Sequence, residues 1–218
     1  PSAQLPAAAR DSFERAAAEF VTAQQLNADR PEARSSLGRF YTQQGRMDLA
    51  ESEYKAALRL SSQYAPAAIN LADLYRQLGR ENEGESVLQN ALKSLQQDAG
   101  LHHALGLTLI RLKRLNEALA QLQAAAELEP DRARYAYVYA VALQSAGRLA
   151  DAITVLKGNL VRNPGDRDSS MALINFVRES GDVAAALEYA EELARIAPDV
   201  QGLNGLIQEL RRQGEQPF

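Results

Sequence analysis

Residues Leu101–Pro130 read LHHALGLTLIRLKRLNEALAQLQAAAELEP. Apolar residues recur there at three- and four-residue steps in two stretches of about a dozen residues, the period of an amphipathic helix rather than a strand. Pro130 closes the second stretch, because proline lacks an amide donor and disfavours helix at the residue before it. The segment therefore predicts a helical hairpin. A single hairpin cannot bury its own apolar face, so it requires neighbours of the same kind.

Those neighbours recur at a fixed step of 34 residues. Gly45, Gly79, Gly147 and Gly181 keep it, and Lys113 is the one departure in that column. Glycine suits the turn because it adopts positive φ and can end the first helix of each pair. Leu37, Leu71, Leu105, Tyr139 and Leu173 form a second column, each followed by Gly38, Ala72, Gly106, Ala140 or the bulkier Ile174. Tyr54, Leu88, Leu122, Leu156 and Ala190 form another, and the closing column reads Ser62, Gln96, Pro130, Pro164 and Pro198. Small residues at Gly38, Gly106, Ala50 and Ala118 would let two helix backbones approach closely.

These columns resemble the tetratricopeptide-repeat pattern in five unbroken copies, 31–64, 65–98, 99–132, 133–166 and 167–200. The resemblance implies an all-α fold, a right-handed superhelix (α-solenoid) of helix-turn-helix hairpins. Its expected work is non-catalytic: a protein–protein interaction scaffold that binds a peptide or partner segment in a concave groove. Residues 1–30 read as a half-repeat holding only a second helix, 11–26, and residues 201–218 as a polar-backed capping helix carrying Leu203, Leu206, Ile207 and Leu210 on one face. Apolar Phe13 and Phe20 on the half-repeat would lack a cover. An upstream segment or a second subunit is expected there, so a homodimer through this amino-terminal edge is a candidate. Pro1 in the place of a methionine reads as a processed chain or a piece of a longer one.

In this family the first helices line the concave surface. The groove columns implied by the resemblance give Ile69, Asp73 and Arg76 from the second copy and His103, Leu107 and Ile110 from the third. The fourth supplies Tyr137 and Val141, and the fifth Met171. A solvated groove should be polar; an apolar patch marks an interaction site instead, with Tyr137 as anchor. The expected ligand is an apolar or amphipathic segment. The Lys/Asn/Arg set with which some relatives clamp acidic tails is missing: laid over Ser35, Arg39, Asn70, Gly100 and Ala104, only Asn70 fits.

Composition excludes other classes. The 218 residues are 46% hydrophobic, enough for a core and too much for disorder. A net charge of −4 argues against binding nucleic acid, which needs a concentrated basic face. The longest apolar run, Tyr135–Leu143, is half of a membrane span, so no membrane insertion is expected. There is no cysteine, hence no disulfide or thiolate site. His102 and His103, the only histidines, point about 100° apart on a helix and cannot share a metal as an i, i+4 pair could. No glycine-rich nucleotide loop or nucleophile elbow is present, so no cofactor and no enzymatic activity are expected.

Stretches such as NADRPEARSSLGRFYTQQG and RYAYVYAVALQSAGR are also similar to the carboxyl-terminal repeat segment of bacterial multihaem cytochrome c-family proteins. That resemblance implies an alternative role, a docking or assembly arm of a larger exported enzyme whose catalytic part lies upstream of residue 1. It would place the chain in the periplasm, with the cytoplasm as the other location.

Overall fold

A computed structural model describes residues 7–215, with side chains from Glu14 onward. Among the described residues there are twelve helices and no strand. They are α1 (Ala7–Gln25), α2 (Pro31–Gln43), α3 (Met47–Leu60), α4 (Ala65–Gln77), α5 (Glu81–Leu92), α6 (Ala99–Arg111), α7 (Leu115–Leu128), α8 (Ala133–Ser145), α9 (Leu149–Arg162), α10 (Arg167–Glu179), α11 (Val183–Ile196) and α12 (Leu203–Gly214). The amino-terminal helix thus begins four residues before the expected 11–26 and ends one earlier. The helices divide into two compact units, one up to Leu112 and one from Lys113. The division falls inside the third copy, with α6 in the first unit and α7 in the second.

Every turn between a first and a second helix uses the left-handed region. Gly45, Gly79, Gly147 and Gly181 have φ of 73°, 70°, 75° and 91°, and Lys113 joins them at 60°. The reason is hydrogen bonding at the helix end. Arg46, Arg80 and Arg148 donate their amides to the carbonyls of Tyr41, Tyr75 and Leu143, five residues back, at 2.8–2.9 Å. Such a bond closes only when the residue before the donor turns left-handed.

The second helices then start on an arginine that makes no side-chain cap of its own at Arg80, Arg114 and Arg148. Each instead pairs with the acid three residues on, Glu83, Glu117 or Asp151, at 2.7 Å. The acid also sits well in the first turn of the helix dipole. The fifth hairpin substitutes Asp182, whose carboxylate caps Ala185 directly.

Close packing explains the small-residue column. A Cβ placed on Gly38 would lie 2.5 Å from the Tyr54 ring, so α2 and α3 approach as they do only because Gly38 has none. Tyr54 is 2% exposed and belongs to the first unit's core with Ala50, Leu71, Leu74 and Tyr75. Glu51 joins the second hairpin to the first: it accepts from Arg80 at 2.7 Å and from the Tyr75 hydroxyl at 2.9 Å. Its carboxyl is held down at about 2, chiefly by the Arg80 guanidinium and further by Lys55 and Tyr75.

The second unit buries Leu143, Leu156, Leu173, Ile174, Leu203 and Leu210. It also buries a polar pair. Asn159 on α9 donates to Ser169 of α10 at 2.7 Å and accepts from Asn163 at 2.9 Å. In α12, Leu203, Ile207 and Leu210 are buried and Leu206 half-buried, while Arg211 reaches Glu191 of α11 at 2.6 Å.

Candidate functional site

In the first unit α2, α4 and α6 pack side by side, and in the second α8 packs against α10, so each unit carries a row of first helices. The nine groove residues divide between those rows. Ile69, Asp73 and Arg76 lie on α4 and His103, Leu107 and Ile110 on α6; Tyr137 and Val141 lie on α8, and Met171 on α10. Asp73, Arg76, Ile110 and Val141 are exposed, whereas Ile69, His103, Leu107, Tyr137 and Met171 are half-buried. Ser35, which heads one of these columns on α2, is 3% exposed and accepts from Asn70 at 3.3 Å, so this column tilts into the core at its start.

The electrostatics of the first row are local. Asp73 accepts from Arg76 at 2.7 Å and from Gln77 at 3.0 Å, which settles the charge of α4 within the helix. Arg111, at the end of α6, donates to Glu81 at 2.7 Å and to Thr108 at 3.0 Å. Beside these pairs α6 shows Leu107 and Ile110 to solvent, and α8 shows Val141. His102 is engaged at the start of α6, with its ring Nε2 2.9 Å from the Gln96 carbonyl oxygen. No cluster of three or more His, Asp or Glu side chains with metal-binding geometry occurs among the described residues. No helix among the described residues is long and apolar enough to cross a membrane.

At the amino-terminal edge Phe20 is partly covered: its ring centroid lies 5.3 Å from that of Phe40 on α2, and 36% of the residue stays exposed. The side chain of Phe13 lies outside the described residues. No side chain from Glu14 to Gln25 is fully buried, and Leu26 is 81% exposed.

The tetratricopeptide-repeat profile matches residues 3–65, 103–166 and 145–200, and a second profile of the same description matches 65–94. The chain belongs to the tetratricopeptide-repeat family. No curated protein sequence matches it. Solved tetratricopeptide structures share the fold at low identity. YrrB, described as a TPR protein with an unusual peptide-binding site, is 21% identical with a TM-score of 0.63, over 88% of this chain and 97% of that one. PilF of Pseudomonas aeruginosa is 21% identical with a TM-score of 0.69, over 85% and 84%. Yeast Tom70 reaches a TM-score of 0.71 at 17% identity, over 91% of this chain and 42% of its own.

One apolar feature of this repeat protein escaped the column reading. Val161 and Ile196, at the ends of α9 and α11, are 85% and 52% exposed. For Ile196 a signal was present: its column at the 34-residue step also holds the exposed Leu26, Leu60 and Leu128, interrupted by Ser94 and Arg162. Val161 lies one residue outside that column.

Proposed function

We propose that the chain is a non-catalytic interaction scaffold whose first-helix rows take an apolar or amphipathic segment of a partner polypeptide. The observation that carries this reading is the exposure of aliphatic side chains where a solvated helix row would be polar. Ile110 and Val141 are each 36% exposed, next to half-buried Leu107 and Tyr137. Burying such side chains against a partner yields about 25 cal/mol per Å² of apolar surface removed from water. The paired charges of Asp73 and Arg76 at the rim of the first row would orient the segment more than hold it.

Leu107→Glu and Tyr137→Glu test the two rows singly and together. Capture of a partner from source lysate, followed by titration of that purified partner, is expected to weaken at least about tenfold with the double variant. Unchanged helicity must accompany the loss. Equal binding by wild type and the double variant would move the site off the first helices; loss of fold would make these two residues core.

Self-association through Phe20, with Phe13 as the second candidate, is favoured by the exposure along Glu14–Gln25, where no side chain is fully buried and Phe20 keeps 36% of its surface. Light scattering should then show a mass that rises with concentration and falls back with Phe20→Ser. A monomer at high concentration would remove the homodimer.

A further inference from the structure

Two clefts on the second-helix side of the second unit occupy the same place in successive copies. One lies between α7 and α9 and is lined by Ala126, Glu127, Gly158, Asn159 and Arg162, among others. The other lies between α9 and α11, encloses about 320 Å³, and has Leu160, Val161, Glu192, Leu193 and Ile196 at those same positions 34 residues on. Four of the five positions thus change from small or polar to aliphatic in that step. At Ile196 this returns to the leucine of Leu26, Leu60 and Leu128, whereas an exposed aliphatic at Val161 has no counterpart at Arg59, Lys93 or Glu127. Folding does not account for the two outermost, since Val161 and Ile196 remain 85% and 52% exposed. Scattered single aliphatics on a surface are ordinary; here they flank a concavity whose base is the buried Leu173 and Leu193.

The rim carries charge that is left unmatched. Among the described residues Lys157 on α9 faces the Tyr189 ring, 5.6 Å from its Nζ, and neither it nor Glu192 on the α11 wall makes an ion pair. Some charges of the same unit are paired, as in Arg148 with Asp151, Arg167 with Asp199 and Arg211 with Glu191, and others, such as Glu188 and Arg195, are not paired among the described residues. What singles out Lys157 and Glu192 is their place at the lip of this cleft. The volume is at the low end of ligand pockets, which run about 300–1,000 Å³, and suits one or two large side chains better than a whole small molecule.

We propose that the α9–α11 cleft docks an amphipathic segment of a partner polypeptide, independently of the first-helix rows. The segment places a large aliphatic or aromatic side chain between Val161 and Ile196, a carboxylate at Lys157 and a cation at Glu192.

Fluorescence anisotropy with labelled twelve-residue peptides tests this. Each peptide carries Leu or Phe at i, i+3, i+4 and i+7, flanked by one Asp and one Lys, by two Asp, or by two Lys. Wild type is expected to bind the mixed peptide best. The V161E/I196R variant, which restores the residues of the preceding copy at exposed positions, should weaken it at least about tenfold with an unchanged melting temperature. Lys157→Glu leaves two acids at the rim, so preference should pass to the two-Lys peptide. Because the first-helix rows are proposed to take segments of the same kind, each comparison is repeated in the L107E/Y137E background. The loss caused by V161E/I196R and the charge preference should persist there; their disappearance would assign the binding to the rows and overturn the proposal. Binding by none of the peptides, equal binding by V161E/I196R, or indifference to peptide charge would overturn the proposal. A concentration-dependent dimer in sedimentation that V161E/I196R abolishes would make the occupant a second copy, and would overturn it as well.

Discussion

The first and fifth hairpins solve one packing problem with opposite residues. In α2–α3 the first helix gives way: Gly38 lies under the ring of Tyr54. Four periods on, in α10–α11, the same two positions hold Ile174 and Ala190, both 0% exposed. The intervening hairpins hold a small residue against leucine, as Ala72 with Leu88 and Ala140 with Leu156. In four of the five hairpins what persists is the summed size of the two side chains, not the residue on either side; the third, with Gly106 and Leu122, falls short of it. Interiors packed as densely as organic crystals impose that constraint.

Breaking the balance in the fifth hairpin should cost most. Ile174→Ala is expected to destabilise by about 2–4 kcal/mol, because Ala190 cannot fill the space left behind. Adding Ala190→Leu recreates the Ala140–Leu156 combination and should recover most of that loss in urea denaturation. A double variant no more stable than Ile174→Ala would mean that the two positions do not share a volume.

Gly38→Ala is the reciprocal test in the first hairpin. Helix propensity alone would make it stabilising by about 1 kcal/mol. The new methyl would sit 2.5 Å from a ring that is itself buried, so a net loss of about 1–3 kcal/mol is expected. Tyr54→Leu in the same chain should restore stability toward wild type. A gain from Gly38→Ala on its own would show that the ring has room to move.

The turn column offers a smaller effect of the same kind. Lys113 holds φ 60° where four other turns use glycine, and a side chain there costs about 1–2 kcal/mol. Lys113→Gly should therefore raise stability by about 1 kcal/mol and Gly147→Lys lower it by a similar amount. If Lys113→Gly were neutral or harmful, the lysine side chain would be making compensating contacts.

The turns were legible in the sequence, Lys113 included, because a backbone requirement recurs at a fixed step whichever residue meets it. Ile174 and Ala190 were visible as departures from their columns, but their compensation needed the Gly38–Tyr54 contact to show that the columns face each other. Asn159 and Ser169 gave no warning of burial, since polar residues in a helix ordinarily read as solvent-facing. Their hydrogen bond satisfies them in the core. The start of α1 was missed because its first residues, Ala7 to Arg10, carry no apolar periodicity. Of the first-helix site, position on the helices was legible, whereas degree of exposure depends on neighbouring rows: Ser35 went inside and Ile110 stayed out.

The smallest expected effect separates the two units by pH. Arg80 in the first unit reaches back to Glu51 as well as forward to Glu83, but among the described residues Arg148 in the second has an ion pair with Asp151 alone, because the residue that stands to it as Glu51 stands to Arg80 is Leu119. Glu51 is held at about 2 in the folded protein, against an ordinary value of 4.5. A carboxylate with a depressed folded pKa contributes stability that is fully present above its unfolded value and is lost as pH falls through the folded one. The contribution of Glu51 should therefore be complete at neutral pH, decline below pH 4.5 and be largely gone near pH 2. The stability gap between wild type and Glu51→Gln should close over that window, whereas the gap for Asp151→Asn, whose only basic partner is exposed, should be small throughout. A Glu51→Gln gap that stayed constant between pH 4.5 and 2 would mean that the Arg80 contact contributes packing of its aliphatic stem and its stacking on Tyr75, 4.4 Å away, rather than charge.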